Sequence, residues 1–129
     1  MAKDGEGERR FFPARARVKR QQDFDAVYAR GKRLTSASMV LIALQNQLGH
    51  NRLGLSVSRK VGGAVRRNLI KRRLREVFRC RQASWPKGYD LVVIPRAAFP
   101  ETLAAIEAQL DALVGRLAVS PPEKEPPPP

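Results

Sequence analysis

The sequence predicts a single α+β domain, a sheet with helices packed on it. Three observations carry this. Two apolar runs flank a polar turn between positions 38 and 58. A long helical pattern follows Gly62-Gly63. A third apolar run at Tyr89 to Ile94 then leads into a last helical stripe. Strand, helix, strand and helix after a paired beginning is the order of an α+β sandwich, and 129 residues suit one domain.

Each element has a local reason. Gln21 to Arg30 reads as a short helix, because Phe24, Val27 and Tyr28 fall at i, i+3, i+4 and Gly31 stands where a C-terminal cap would. Ser38 to Leu44 holds Met39-Val40-Leu41-Ile42-Ala43-Leu44 and reads as a buried strand. After a turn rich in Asn and Gly, Arg52 to Ser58 alternates, with Leu53, Leu55 and Val57 on one side and Arg52, Gly54, Ser56 and Ser58 on the other. These two runs are expected to be antiparallel neighbours. Ala64 to Arg81 is the central helix. Leu91-Val92-Val93-Ile94 is continuous enough for a central strand, and Pro95 is expected to stop it. Pro100 and Glu101 suit the first turn of a last helix, along which Leu103, Ile106, Leu110, Leu113, Val114 and Leu117 form an apolar stripe.

Positions 1–17 are charged and rich in Gly and Arg, and 118–129 are dominated by proline. Both bury too little apolar surface to offset chain ordering and are expected to be disordered tails around a domain spanning 18–117. No apolar run reaches membrane-spanning length, and the N-terminus lacks the apolar centre of a signal peptide, so a soluble cytoplasmic protein without membrane contact is expected. Cys80 is the only cysteine, which excludes an internal disulfide and a cysteine-based metal site.

The net charge of +13 concerns partners rather than fold. No Asp or Glu occurs between Asp25 and Glu76, and Arg52 to Arg81 holds 11 basic residues against one acid. A solvated helix normally mixes both signs, since like charges at i+3 and i+4 repel. At about 100° per residue, Ile70, Leu74, Val77 and Phe78 share one arc, the core face. Asn68, Lys71, Arg72, Arg75 and Arg79 share another, a ridge of donors suited to consecutive phosphates. Arg66 and Arg67 border the core, and Val65 and Leu69 lie between the faces. No zinc spacing, heptad zipper or helix-turn-helix accompanies the ridge, which favours RNA recognised by shape and phosphate over duplex DNA. No Ser/His/Asp set, His pair or metal-ligand cluster supports catalysis by the polypeptide, so no catalytic residue and no metal ligand is assigned.

Three stretches resemble the protein subunit of bacterial ribonuclease P. They are Asp23 to Gly31; Arg52 to Gly62 running into Ala64-Val65-Arg66-Arg67-Asn68 and on to Glu76; and Gly88 to Arg96, in the family's order and within positions 18–117. The resemblance implies an αβββαβα sandwich with a mixed sheet and a left-handed βαβ crossover around the central helix. It implies that Arg67, Asn68, Lys71, Arg72 and Arg75, beside Arg79 of the same ridge, contact the catalytic RNA, and that Arg59 and Lys60 approach either RNA. It also implies that Phe24, Tyr28, Val40 and Ile42 form a cleft for the single-stranded 5′ leader of precursor tRNA. The family motif usually reads Arg-Asn-Arg; here its third member is Leu69. Ile42 is aliphatic where some relatives offer an aromatic. On this reading the polypeptide is a monomer in a ribonucleoprotein whose RNA hydrolyses the phosphodiester, with Mg²⁺ on the RNA. A ribosomal or nucleoid-associated binding protein is the competing class, and composition alone fits it nearly as well.

Overall fold

The computed structural model describes residues 14–119, and the remaining residues of both tails lie outside it. In chain order the elements are α1 (Gln21–Arg30), β1 (Lys32–Thr35), β2 (Met39–Gln45), β3 (Arg52–Leu55), α2 (Ala64–Arg81), β4 (Tyr89–Pro95) and α3 (Leu103–Val119). Short 3-10 turns at Ala14–Ala16, Arg59–Val61 and Gln82–Ser84 join them. This is the αβββαβα order.

The four strands form one mixed sheet in the order β1-β2-β4-β3. β2 pairs antiparallel with β1 and β4, while β3 and β4 are parallel and joined through α2. The expectation that β2 and β3 are antiparallel neighbours is therefore wrong, because β4 lies between them. The continuous apolar run Leu91-Val92-Val93-Ile94 explains this. A strand that is apolar on both faces needs cover on both faces and a neighbour on each side, which only an interior position supplies.

The strands' alternation divides the core. Leu41, Ala43, Leu53, Leu91 and Val93 face α2 and α3, meeting Ile70, Leu74, Val77 and Phe78 of α2 and Ile106, Leu110, Leu113, Val114 and Leu117 of α3. On the other face Val27 of α1 packs with Val40, Ile42 and Val92 in a smaller cluster flanked by Phe24, Leu44 and Ile94. Leu74 is fully buried at the centre of the large core, where truncation to alanine costs roughly 2–5 kcal/mol.

β1 escaped the residue-by-residue reading because only Leu34 of its four residues is buried. Residues 14–17, assigned by sequence to a disordered tail, form a turn, and Arg17 bridges to Leu53 in parallel while the Val18 N–H donates to the Leu53 carbonyl at 3.0 Å. At the other end α3 runs through Val119, two residues past the expected boundary. Pro95 is paired with Met39 as the last residue of β4, so the strand includes it. Pro100 and Glu101 precede α3 rather than opening it; the Thr102 hydroxyl accepts the Ala105 N–H at 3.1 Å. Gly31 does end α1, but its φ of −74° is open to any residue. Space is what it supplies: a Cβ there would lie 2.6 Å from Ile42 Cγ2 and from the Val27 carbonyl oxygen.

Candidate nucleic-acid interface

The exposed side of α2 separates into arginines that are held and basic groups that are not. Arg66, unassigned by sequence, reaches back to the turn before the helix. Its Nε donates to the Val61 carbonyl at 2.7 Å, and its terminal nitrogens meet Glu101 and the Phe99 carbonyl. Gly62 makes that close return possible: its φ is +142°, and a Cβ would meet the Arg66 side chain at 2.6 Å. Arg67 Nε donates to the Gly62 carbonyl at 3.2 Å. Arg73 donates to the Glu101 carbonyl, and Arg81 pairs with Glu107 and Asp111.

Of the predicted ridge, Asn68 and Arg72 are exposed, and Lys71 and Arg75 are half-buried. None of these four has an ion pair among the described residues. Arg79 differs: its guanidinium grips Glu76 at 2.6 Å, and this hydrogen bond draws the Glu76 carboxyl below its ordinary pKa. Arg59 and Lys60 stand exposed on the turn before α2, whose start is fixed by the Ser58 hydroxyl accepting the Lys60 N–H at 3.2 Å. Leu69, in place of the motif's second arginine, is half-buried between ridge and core.

Beside the ridge, a cavity of about 220 Å³ is lined by Arg17, Val18, Lys19, Phe24, Leu53, Leu55, Lys71 and Arg75. Four of its lining residues are cations and none is an acid, and Val18, Phe24 and the two leucines form its apolar part. Partial burial, and then the nearby Arg17 charge, lower the Arg75 guanidinium from its ordinary value. A phosphate entering here would offset both effects. Arg17 and Lys19 were missed by the sequence reading, although the alternation Arg15-Ala16-Arg17-Val18-Lys19 carries a strand-like pattern that could have placed them.

The cleft residues part company. Tyr28 is 40% exposed and Phe24 half-buried, with ring centroids 6.3 Å apart and planes tilted by 36°. Phe24 lies over Gly54 of β3, where a Cβ would be 2.9 Å from its ring. Both rings therefore offer surface on which a base can stack. Val40 and Ile42, expected as the cleft floor, are only 6% and 1% exposed and pack beneath α1 against Val27 and Val92. They hold up the cleft rather than line it.

A buried polar knot fixes α1 to this face. Asp90 is 4% exposed and accepts from Arg52 at 2.7 and 2.6 Å and from Asn46 at 2.8 Å, while Asp23 of α1 approaches Arg52 at 3.6 Å. The hydrogen bond to Asp90 outweighs burial and raises the Arg52 pKa.

With this geometry in place, comparison with known proteins decides the family. The family model for Ribonuclease P matches residues 12–118. The chain belongs to the ribonuclease P protein family. It is 40% identical over 96 residues to the ribonuclease P protein component of Thermotoga maritima, covering 74% of this chain and 82% of that one. It is 42% identical over 97 residues to the corresponding protein of Streptococcus pneumoniae, covering 75% and 78%. The solved RNase P protein of Staphylococcus aureus superposes with a TM-score of 0.72 at 35% identity, covering 81% of this chain and 96% of that one. The RNase P protein structure from Thermotoga maritima superposes equally well, at 0.72. The family match spans both the basic ridge and the α1 cleft.

Proposed function

We propose that this protein binds the catalytic RNA of ribonuclease P and the 5′ leader of precursor tRNA, and so assists endonucleolytic 5′ maturation of tRNA in the cytoplasm. Membership of the family supports the role in tRNA processing. The single observation that supports the division of labour is the split on α2. Asn68, Lys71, Arg72 and Arg75, without acidic partners among the described residues, present donors to the phosphates of the catalytic RNA, with Arg59 and Lys60 beside them and Arg67, held through its Nε by the Gly62 carbonyl, contributing less. Arg79, held by Glu76, contributes less than its position on the helix suggests. Phe24 and Tyr28 take bases of the leader, and Val40 and Ile42 keep α1 at the right height above the sheet.

The chain acts by positioning, as a monomer within the ribonucleoprotein. Bond hydrolysis belongs to the RNA, with Mg²⁺ bound there. Among the described residues no group of three His, Cys, Asp or Glu could hold a metal ion, and the acids serve basic or amide partners, as with Asp90 and Arg52, Glu76 and Arg79, Asp25 and Gln21. No helix among the described residues is long and apolar enough to cross a membrane.

Reconstitution with the matching catalytic RNA tests this reading. The protein should stimulate cleavage of precursor tRNA at low magnesium, and should favour precursor over mature tRNA in binding. A protein that binds both RNAs yet leaves cleavage unchanged would overturn the proposed assistance to cleavage and leave a binding role alone.

A further inference from the structure

Between the held arginines of α2 and its basic ridge lies a pair of apolar side chains that the fold does not use. Val65 is 86% exposed, more than any other large apolar side chain among the described residues. Leu69 follows at i+4 on the same side and is half-buried. At about 100° per residue, Val65 stands about 120° or more from each of Ile70, Leu74, Val77 and Phe78, the buried residues of the helix. It lies within about 20° of Arg72 and about 40° of Leu69. On one flank of the pair are Arg66 and Arg73, both tied to Glu101. On the other are Asn68, Arg72 and Arg75, which have no ion pair among the described residues.

A single exposed apolar side chain is ordinary. Here neither packing nor helix formation accounts for the residue. Nothing in the fold covers Val65. Its branched side chain makes it a poorer helix former than alanine. As the second residue of α2 it also occupies a place where the helix dipole favours an acid, and the first turn holds none. The flanking charges indicate what covers the pair. Asn68, Arg72, Arg75 and the exposed Arg59 and Lys60 call for a polyanion. A polyanion that also carries apolar surface next to its charges is a nucleic acid. Each phosphate has a ribose and a base beside it, and unpaired bases of RNA expose their faces. Val65 and Asn68, like Leu69 and Arg72, are three residues apart and so are neighbours on the helix surface. An apolar group thus stands next to a phosphate donor twice over.

We propose that Val65 and Leu69 form an apolar seat for an unstacked nucleotide of the catalytic RNA, whose phosphate lies on Asn68 and Arg72. The inference rests on the proposed function above and deepens it. Phosphate contacts position an RNA without reading it. The seat takes the base and ribose, so it adds a part of the affinity that salt does not screen. It also favours RNA with an unpaired nucleotide at this point over a continuous duplex.

The test is binding of the full chain to the matching catalytic RNA across a series of salt concentrations. Val65→Ala should weaken binding several-fold, since each methyl group withdrawn from a covered contact is worth roughly fourfold. The loss should be equal at low and high salt, so the slope of log affinity against log salt stays that of the unaltered protein. Val65→Thr, which keeps the size and the branching but is polar, should also weaken binding. Leu69→Arg should fall below the unaltered protein at high salt while its slope steepens. Alanine suits a helix better than valine, so Val65→Ala should unfold at the same or a higher urea concentration, and its weaker binding then has no origin in the fold. Unchanged affinity of Val65→Ala at every salt concentration overturns the proposal and leaves the pair to a protein partner or to none. A loss that vanishes at high salt also overturns it, because the effect then passes through the neighbouring cations. Failure of the two readings is distinguishable. If Arg72→Ala/Arg75→Ala leaves the slope unchanged, the ridge assignment falls and this inference with it. If that variant flattens the slope and Val65→Ala binds normally, only the seat falls.

Discussion

Arg66 and Arg72 lie less than two turns apart on one helix, and they differ in what surrounds them. Arg66 donates to two backbone carbonyls and faces Glu101, tying the turn before α2 and the segment before α3 to the helix. Arg72 is exposed and has no ion pair among the described residues. The comparison shows that the arginines of α2 differ in their partners. Arginines that border the core or have an acid within reach stitch the fold. Lys71, Arg72 and Arg75 have no acidic partner among the described residues, which is why the ridge is proposed to meet a polyanion. Residue type does not separate the two groups; the presence of a facing carbonyl or carboxylate does.

Substitutions on α2 should sort accordingly. The largest expected effect lies beneath both groups. Leu74→Ala removes a fully buried side chain under the ridge and should cost roughly 2–5 kcal/mol in urea unfolding, with RNA affinity per folded molecule little changed. Next comes Arg66→Ala, which leaves the partly buried Val61 and Phe99 carbonyls without this donor. It should cost on the order of 1–3 kcal/mol while the salt dependence of RNA binding stays the same. Loss of RNA binding with full stability would put Arg66 in the wrong group. Arg79→Ala comes third, since it breaks a half-exposed pair worth up to about 1 kcal/mol.

The Arg79 pair also has a pH signature. Its hydrogen bond lowers the folded-state pKa of Glu76. Its contribution is therefore complete above the unfolded-state pKa and lost as pH falls through the folded-state value, on the acid side of the ordinary carboxylate range. Arg79→Ala should therefore separate from the unaltered protein at neutral pH and converge with it in acid. A gap that persisted at low pH would show that the pair is not its source. The smallest stability effect belongs to Arg72→Ala, within about half a kcal/mol, as for a surface residue without partners.

Much of this arrangement was legible in the sequence, for identifiable reasons. Both long helical patterns and the bounds of α1 and α2 follow from apolar spacing and glycine. The core face of α2 follows from the helical period. The placing of β4 between β2 and β3 was half visible: the continuity of Leu91 to Ile94 demanded an interior strand, but sequence proximity suggested a hairpin. β1 was hidden because an edge strand burying one residue has almost no period to detect. At the site, the ridge was readable from charge and period alone. The partners of Arg66 and Arg67 were not, because they are backbone carbonyls brought in by tertiary packing. Val40 and Ile42 were placed on the correct strand face, but only the packed structure shows that α1 covers them. Arg17 falls in the charged tail by composition, yet it bridges to Leu53 at the sheet edge, while Lys19 lies just inside the expected domain.

The central claim is that the unpaired side of α2 binds the catalytic RNA. Its most direct test is the salt dependence of that binding for Arg72→Ala/Arg75→Ala beside Arg66→Ala. The ridge variant should stay folded, bind more weakly and show a slope shallower by roughly 0.7–0.9 for each phosphate that Arg72 and Arg75 neutralise. Arg66→Ala should keep the original slope. Identical slopes for the ridge variant and the unaltered protein, with both folded, would contradict the assignment.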